Sequence, residues 1–136
     1  MYGKLIAAIA VAGTVGMFAD WLFMGVLFHE RYNRYPEIWW PGLREKGDTR
    51  GIIIATILGY LGAAGIVLLC FVTGSKNFES ALTVSVLAWI AGPLVMQVTN
   101  GFWIKYDPLL TLSHSLGYLA RFLIAGAATA IALNWN

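Results

Sequence analysis

The chain is poor in most of what a soluble enzyme uses. Charged residues are 12% of its 136 residues, where a soluble domain usually carries about a quarter. One cysteine, Cys70, excludes an intramolecular disulfide and any multi-cysteine metal cluster, which leaves packing as its role. The two histidines, His29 and His114, stand 85 positions apart by subtraction of their numbers. Together with Glu30 and Asp107 they are the available metal-ligand candidates, without a short-range ligand motif. The formal net charge of +2 mixes bases with acids and has no basic tail, which argues against nucleic acid as a partner. Glycine is plentiful, but it lies within apolar segments and not in a phosphate-binding loop. No nucleophile, base and orienter set is spaced for hydrolysis. The chain therefore reads as a non-enzyme with no cofactor indicated by motif.

What the chain does have is apolar length. It is 59% hydrophobic, with a mean hydropathy of +0.70. Four runs, about 4–28, 51–73, 80–104 and 108–135, each approach or exceed the roughly 20 residues that span about 30 Å of hydrocarbon as a helix. The expected fold is an all-α membrane protein, a four-transmembrane-helix antiparallel bundle forming a single domain over 1–136, with one long interfacial loop over 29–50. Lys4 precedes the first run as in a secretory signal. That run is much longer than the roughly 7–15 residues of a signal core and lacks a small-x-small cleavage site, so it reads as a retained helix.

Three of the runs carry a stripe of small residues. Ala8, Ala12, Gly16 and Asp20 recur every four positions in the first, as do Ala55, Gly59 and Ala63 in the second, and His114, Gly117, Arg121, Ala125, Ala128 and Ala132 follow at steps of three or four in the fourth. Such spacing lies on one helical face, and in lipid small faces are where helix backbones approach closely. The third run places Trp89, Pro93, Gln97 and Asn100 along one side, with Pro93 expected to kink it. Asp107-Pro108 is an N-cap followed by a first-turn proline, a start signal for the last helix.

Asp20 demands explanation, because an acid within a span is costly and marks a partner or a purpose. It lies about nine residues from the loop-side end of its helix, roughly 13 Å at 1.5 Å per residue. Arg121 sits at a compatible depth. Side chains lean towards their own helix N-terminus, so in antiparallel helices the two lean towards each other. Tyr60, Gln97 and Trp89 reach similar levels. These residues define an expected intramembrane site: an Asp20–Arg121 ion pair lined by Tyr60, Gln97 and Trp89. It serves either to fix helix register or to hold a ligand or ion.

The loop contains Tyr32, Tyr35, Trp39 and Trp40, aromatic residues suited to the membrane–water interface. Arg31, Arg34, Arg44, Lys46, Arg50 and Lys105 flank the loop side and only Lys4 and Lys76 the other. By the positive-inside rule both termini are then outside. The expected environment is the bilayer of a plasma membrane, with association into a homo-oligomer or a larger membrane complex.

The run Asp20-Trp21-Leu22-Phe23-Met24-Gly25-Val26-Leu27-Phe28, with Tyr32 and Ile38-Trp39-Trp40-Pro41, resembles a group of small bacterial four-helix membrane proteins whose function is not established. Those tend to end this segment Leu-Trp-Arg-Pro, and here Trp40 takes the basic position. The resemblance covers about residues 20–41, implies a bacterial inner-membrane protein, and implies no activity. In architecture alone the chain also resembles the membrane glutathione transferase and eicosanoid superfamily, which would make it an enzyme. The arginine-rich and asparagine-glutamate motif of that superfamily is not matched by His29-Glu30-Arg31-Tyr32-Asn33-Arg34. Three functions stay open: an accessory subunit or binder of an apolar or amphipathic molecule, a proton or small-solute path using Asp20 and Arg121, and a lipid- or glutathione-dependent enzyme.

Overall fold

A computed structural model of the chain describes residues 1–35, 37, 49–105 and 107–134. Every regular element among the described residues is helical. Helix α1 covers Tyr2–Asp20 and continues as a π turn over Trp21–Leu27, followed by a short 3-10 turn at His29–Asn33. Helix α2 is Thr49–Val72. Helix α3, Phe78–Trp89, passes through a π turn at Ile90–Leu94 into α4, Val95–Trp103. Helix α5 is Pro108–Asn134. The four continuous stretches Tyr2–Leu27, Thr49–Val72, Phe78–Trp103 and Pro108–Asn134 are long and apolar enough to cross a membrane.

Local chemistry sets the ends. Gly74, at φ 70°, closes α2: the Ser75 N–H donates to Cys70 O at 2.8 Å and the Gly74 N–H to Phe71 O at 3.2 Å. This is the paired closure that satisfies the last carbonyls of a helix and favours glycine in the left-handed position. Asn77 then accepts the Ser80 N–H at 2.8 Å, so α3 begins at Phe78, two residues ahead of the apolar run. Where Pro93 removes a backbone donor, the chain adopts a π turn, one of the ways a helix accommodates such a break.

Helix α5 packs against α1, α2, α3 and α4, and is the centre of the arrangement. A third of its most apolar stretch, 33%, is buried, against 11% for the third span, which lies at the periphery. The core is mostly small side chains, with Leu5, Ile66, Val67 and Leu110 among them. Ala81, Ser85, Cys70, Ala125, Thr129 and Ala130 are completely buried. The Ser85 and Thr129 hydroxyls donate to the carbonyls of Ala81 and Ala125, one turn earlier, so neither hydroxyl is stranded. The α1 stripe faces inward as its spacing requires, with Ala8, Ala12 and Gly16 buried. Outward positions are large and apolar: Ile52, Ile57, Leu61 and Val72 are each more than half exposed. An apolar exterior of this extent marks a surface meant for lipid or another protein.

Candidate functional site

The small stripes of α1, α2 and α5 converge on Asp20 and Arg121. Arg121 Nη1 donates to Asp20 Oδ2 at 2.6 Å, and the two side chains are 14% and 25% exposed. Glycine makes the approach possible. A Cβ at Gly59 would collide with the Arg121 guanidinium, and one at Gly16 would lie 3.4 Å from Arg121 Cγ. The arginine thus lies across the bare backbone of α1 and α2. On the opposite side a Cβ at Gly117 would lie 3.8 Å from Asp20 Oδ1.

The pair borders a cavity of about 270 Å³ between α1, α2 and α5. Its wall is mainly apolar, with Met24, Leu58 and Phe122 as the large contributors, and His114 and Tyr118 adding polar edges. The bonding of the pair is incomplete. Arginine offers five N–H donors and a carboxylate about four acceptor positions, yet one hydrogen bond joins them, and the buried Oδ1 of Asp20 has no partner among the described residues. A bidentate grip, the geometry for which arginine is best suited, is not what forms.

The other expected members of the site are placed elsewhere. Tyr60 turns to α1: its hydroxyl is 2.8 Å from Thr14 Oγ1, and its ring covers the buried, side-chain-free backbone of Gly13, where a Cβ would overlap it. Trp89 donates its indole N–H to Ser115 O at 2.8 Å, fastening the third span to α5. Gln97 is half-buried on α4. None of the three lines the cavity. The residues that do were legible as neighbours in register: Met24 is four after Asp20, and Tyr118 and His114 are three and seven before Arg121.

At the loop-side end, the 3-10 turn His29–Asn33 lies against α5. Tyr32 OH is 3.2 Å from His114 Nε2, with a longer contact of 3.4 Å to Ser113 Oγ. Ser113 Oγ in turn reaches Phe23 O at 3.4 Å, within the π turn that follows Asp20. Tyr32 is therefore half-buried over the cavity's His114. Tyr35 carries the Lys105 ammonium 5.5 Å from its ring centroid. Trp39 and Trp40 lie outside the described residues. His29, Glu30, Asp107 and His114 do not converge, and among the described residues no three His, Cys, Asp or Glu side chains are grouped to hold a metal.

Asp107 instead ties the 3-10 turn to the start of α5. Its buried carboxylate accepts the Leu109 N–H at 2.9 Å and pairs with Arg34 at 3.0 Å and, more weakly, Arg31 at 3.5 Å. The Leu109 N–H, with help from Arg34 and Arg31 and against the effect of burial, holds this carboxyl below its ordinary value of 3.8. A depressed folded-state value means the stabilisation is complete above the ordinary range and is lost as pH falls through the lower folded value. Asp107→Asn keeps a capping oxygen but removes the charge. We expect its stability deficit, followed by thermal unfolding in mild detergent, to be constant above the ordinary carboxylate range and to shrink as pH falls below 3.8 towards the lower folded value. A deficit unchanged across that range would show that the carboxylate charge is not what fastens the turn.

No protein-family model matches the chain, and neither a curated protein nor a solved structure matches it significantly. The likeness at residues 20–41 therefore rests on those residues alone, and the functional reading rests on the cavity.

Proposed function

We propose that the protein is a polytopic membrane protein, an antiparallel four-helix bundle with both termini outside, that binds an amphipathic small molecule in the cavity beside Asp20 and Arg121. The observation that carries this reading is an under-bonded ion pair in the wall of an otherwise apolar cavity. An apolar pocket with a few convergent polar groups is the usual form of a small-molecule site. One hydrogen bond between Arg121 and Asp20 leaves much of the pair's donor and acceptor capacity for a further partner, and unpaired polar groups in hydrocarbon are costly. A polar head would fill it.

The volume, about 270 Å³, lies at the lower edge of the roughly 300–1,000 Å³ typical of such sites. It suits a head group and the first part of a chain, with a longer tail leaving past Leu58, which is 58% exposed. A path for protons or solutes is less well supported. Beyond Arg121, α5 continues through buried Ala125 and Ala128, and the Thr129 hydroxyl is committed to Ala125 O. The polar lining does not extend towards the other end. The reading is tested by photolabelling in nanodiscs with a diazirine-bearing alkyl alcohol, with saturable labelling expected at Met24 and Phe122.

A further inference from the structure

The geometry points to a ligand whose head group is uncharged and carries both a hydrogen-bond donor and an acceptor, such as a hydroxyl or a primary amide on an alkyl chain. This inference rests on the binding reading above and specifies its chemistry.

Charge is the first ground. The ionisable side chains in the described wall are Asp20, Arg121, His114 and Tyr118. With the histidine and phenol neutral, Asp20 and Arg121 sum to zero and already answer each other at 2.6 Å. A carboxylate or ammonium head would add an unbalanced charge to a cavity walled by Met24, Leu58 and Phe122. No further counter-ion faces it there: Arg31, Arg34 and Asp107 are engaged with one another at the loop-side end. An uncompensated charge at membrane depth is strongly disfavoured.

Bonding capacity is the second. Arg121 offers donors and no acceptor, while Asp20, ionised, offers acceptors and no donor. One hydrogen bond links them. A head that only accepts serves Arg121 alone, and one that only donates serves Asp20 alone. A hydroxyl or primary amide does both. The open Oδ1 is buried on the Gly117 side. The acceptor that Asp20 offers from the cavity wall is therefore the second position of Oδ2, which takes a single bond from Arg121.

The test is competition against the diazirine alcohol in nanodiscs at about pH 8, where histidine is neutral. Decanamide, decanol, decanoate, decyltrimethylammonium and a diacylglycerol compete for labelling at Met24 and Phe122. Decanamide and decanol are expected to suppress the label at mole fractions about tenfold or more below those of the two charged amphiphiles, reflecting the cost of unbalanced charge. Diacylglycerol competing as well as decanol identifies a membrane lipid as the source of the head, and its failure identifies a free single-chain amphiphile. Asp20→Asn leaves Arg121 unbalanced and should move the preference to decanoate. Should that variant not fold, Asp20→Asn/Arg121→Gln, whose two amides can bond to each other, should weaken the saturable alcohol label at Met24 and Phe122, and an undiminished label would overturn the inference. Decanoate or decyltrimethylammonium competing as well as decanamide in the wild type would overturn the inference while leaving a binding site. Absence of saturable labelling at Met24 and Phe122 would remove the site itself.

Discussion

Arg121→Gln is expected to destabilise the protein by about 3–5 kcal/mol, the usual consequence of removing one member of a buried ion pair. The loss comes less from the missing 2.6 Å hydrogen bond than from what is left behind. Asp20 stands beside Met24 and Phe23, and its Oδ1 already lacks a partner. Without the guanidinium the whole carboxylate is stranded in apolar surroundings. Asp20→Asn produces the mirror case, an arginine lying across Gly16 and Gly59 without an anion. The double variant Asp20→Asn/Arg121→Gln has two neutral amides able to bond to each other. It should recover most of the loss, because a buried pair contributes little net stability relative to a neutral replacement. Unfolding in mild detergent, followed for the wild type and all three variants, closes the cycle. If the two single losses simply add in the double variant, the residues are not energetically coupled and the pair has no structural role.

Gly126→Ala is expected to cost about 1–3 kcal/mol, as overpacking of a closed core does. The new Cβ would overlap Ser85 Oγ and stand 2.9 Å from Ala81 O and 3.3 Å from Ala81 C. The Ser85 side chain can turn away, but the carbonyl belongs to the backbone of α3 and yields only if α3 separates from α5. That contact is central, because Ala81 O also accepts from Ser85 Oγ at 2.9 Å and lies 3.8 Å from Cys70 Sγ. Gly65→Ala is the control. Gly65 is an exposed α2 glycine with open space around it, and alanine there should gain up to about 1 kcal/mol from helix propensity. Opposite signs for the same substitution in two helices would separate close packing from propensity. A gain at both positions would mean that α3 and α5 are not held at this distance.

Much of this arrangement is legible in the sequence, for physical reasons. Stripes of small residues identify inward faces, because only small side chains let backbones approach: Ala8, Ala12, Gly16, Gly59, Ala63, Ala125 and Ala128 are buried, whereas Ala132 is half-buried and Ala55, near the start of α2, is exposed. Opposed leaning of Asp20 and Arg121 follows from helix direction and depth. Depth alone does not give azimuth. Tyr60 shares the level of Asp20 by residue count, yet its ring goes where α1 offers a bare glycine, Gly13, and its hydroxyl where Thr14 offers a partner. Trp89 likewise goes to a backbone carbonyl, Ser115 O. The π turns after Asp20 and around Pro93 shift the facing of everything that follows them, which a constant 3.6-residue period does not register. Tyr32 has the composition of an interfacial anchor. It is drawn over His114 because Asp107 holds the neighbouring Arg31 and Arg34, a contact across more than seventy residues.

The central claim is that the space beside Asp20 and Arg121 takes up an amphipathic molecule. Photolabelling with the diazirine alcohol, mapped residue by residue in the wild type and in Asp20→Asn/Arg121→Gln, tests it most directly. Met24 and Phe122 face the cavity, whereas Ile57 and Leu61 are 62% and 67% exposed on the outer surface. The account predicts saturable labels at Met24 and Phe122 that weaken sharply in the double variant, while labels at Ile57 and Leu61 rise linearly with probe and do not change. Labels distributed over all four positions alike, without saturation and indifferent to the variant, would contradict it.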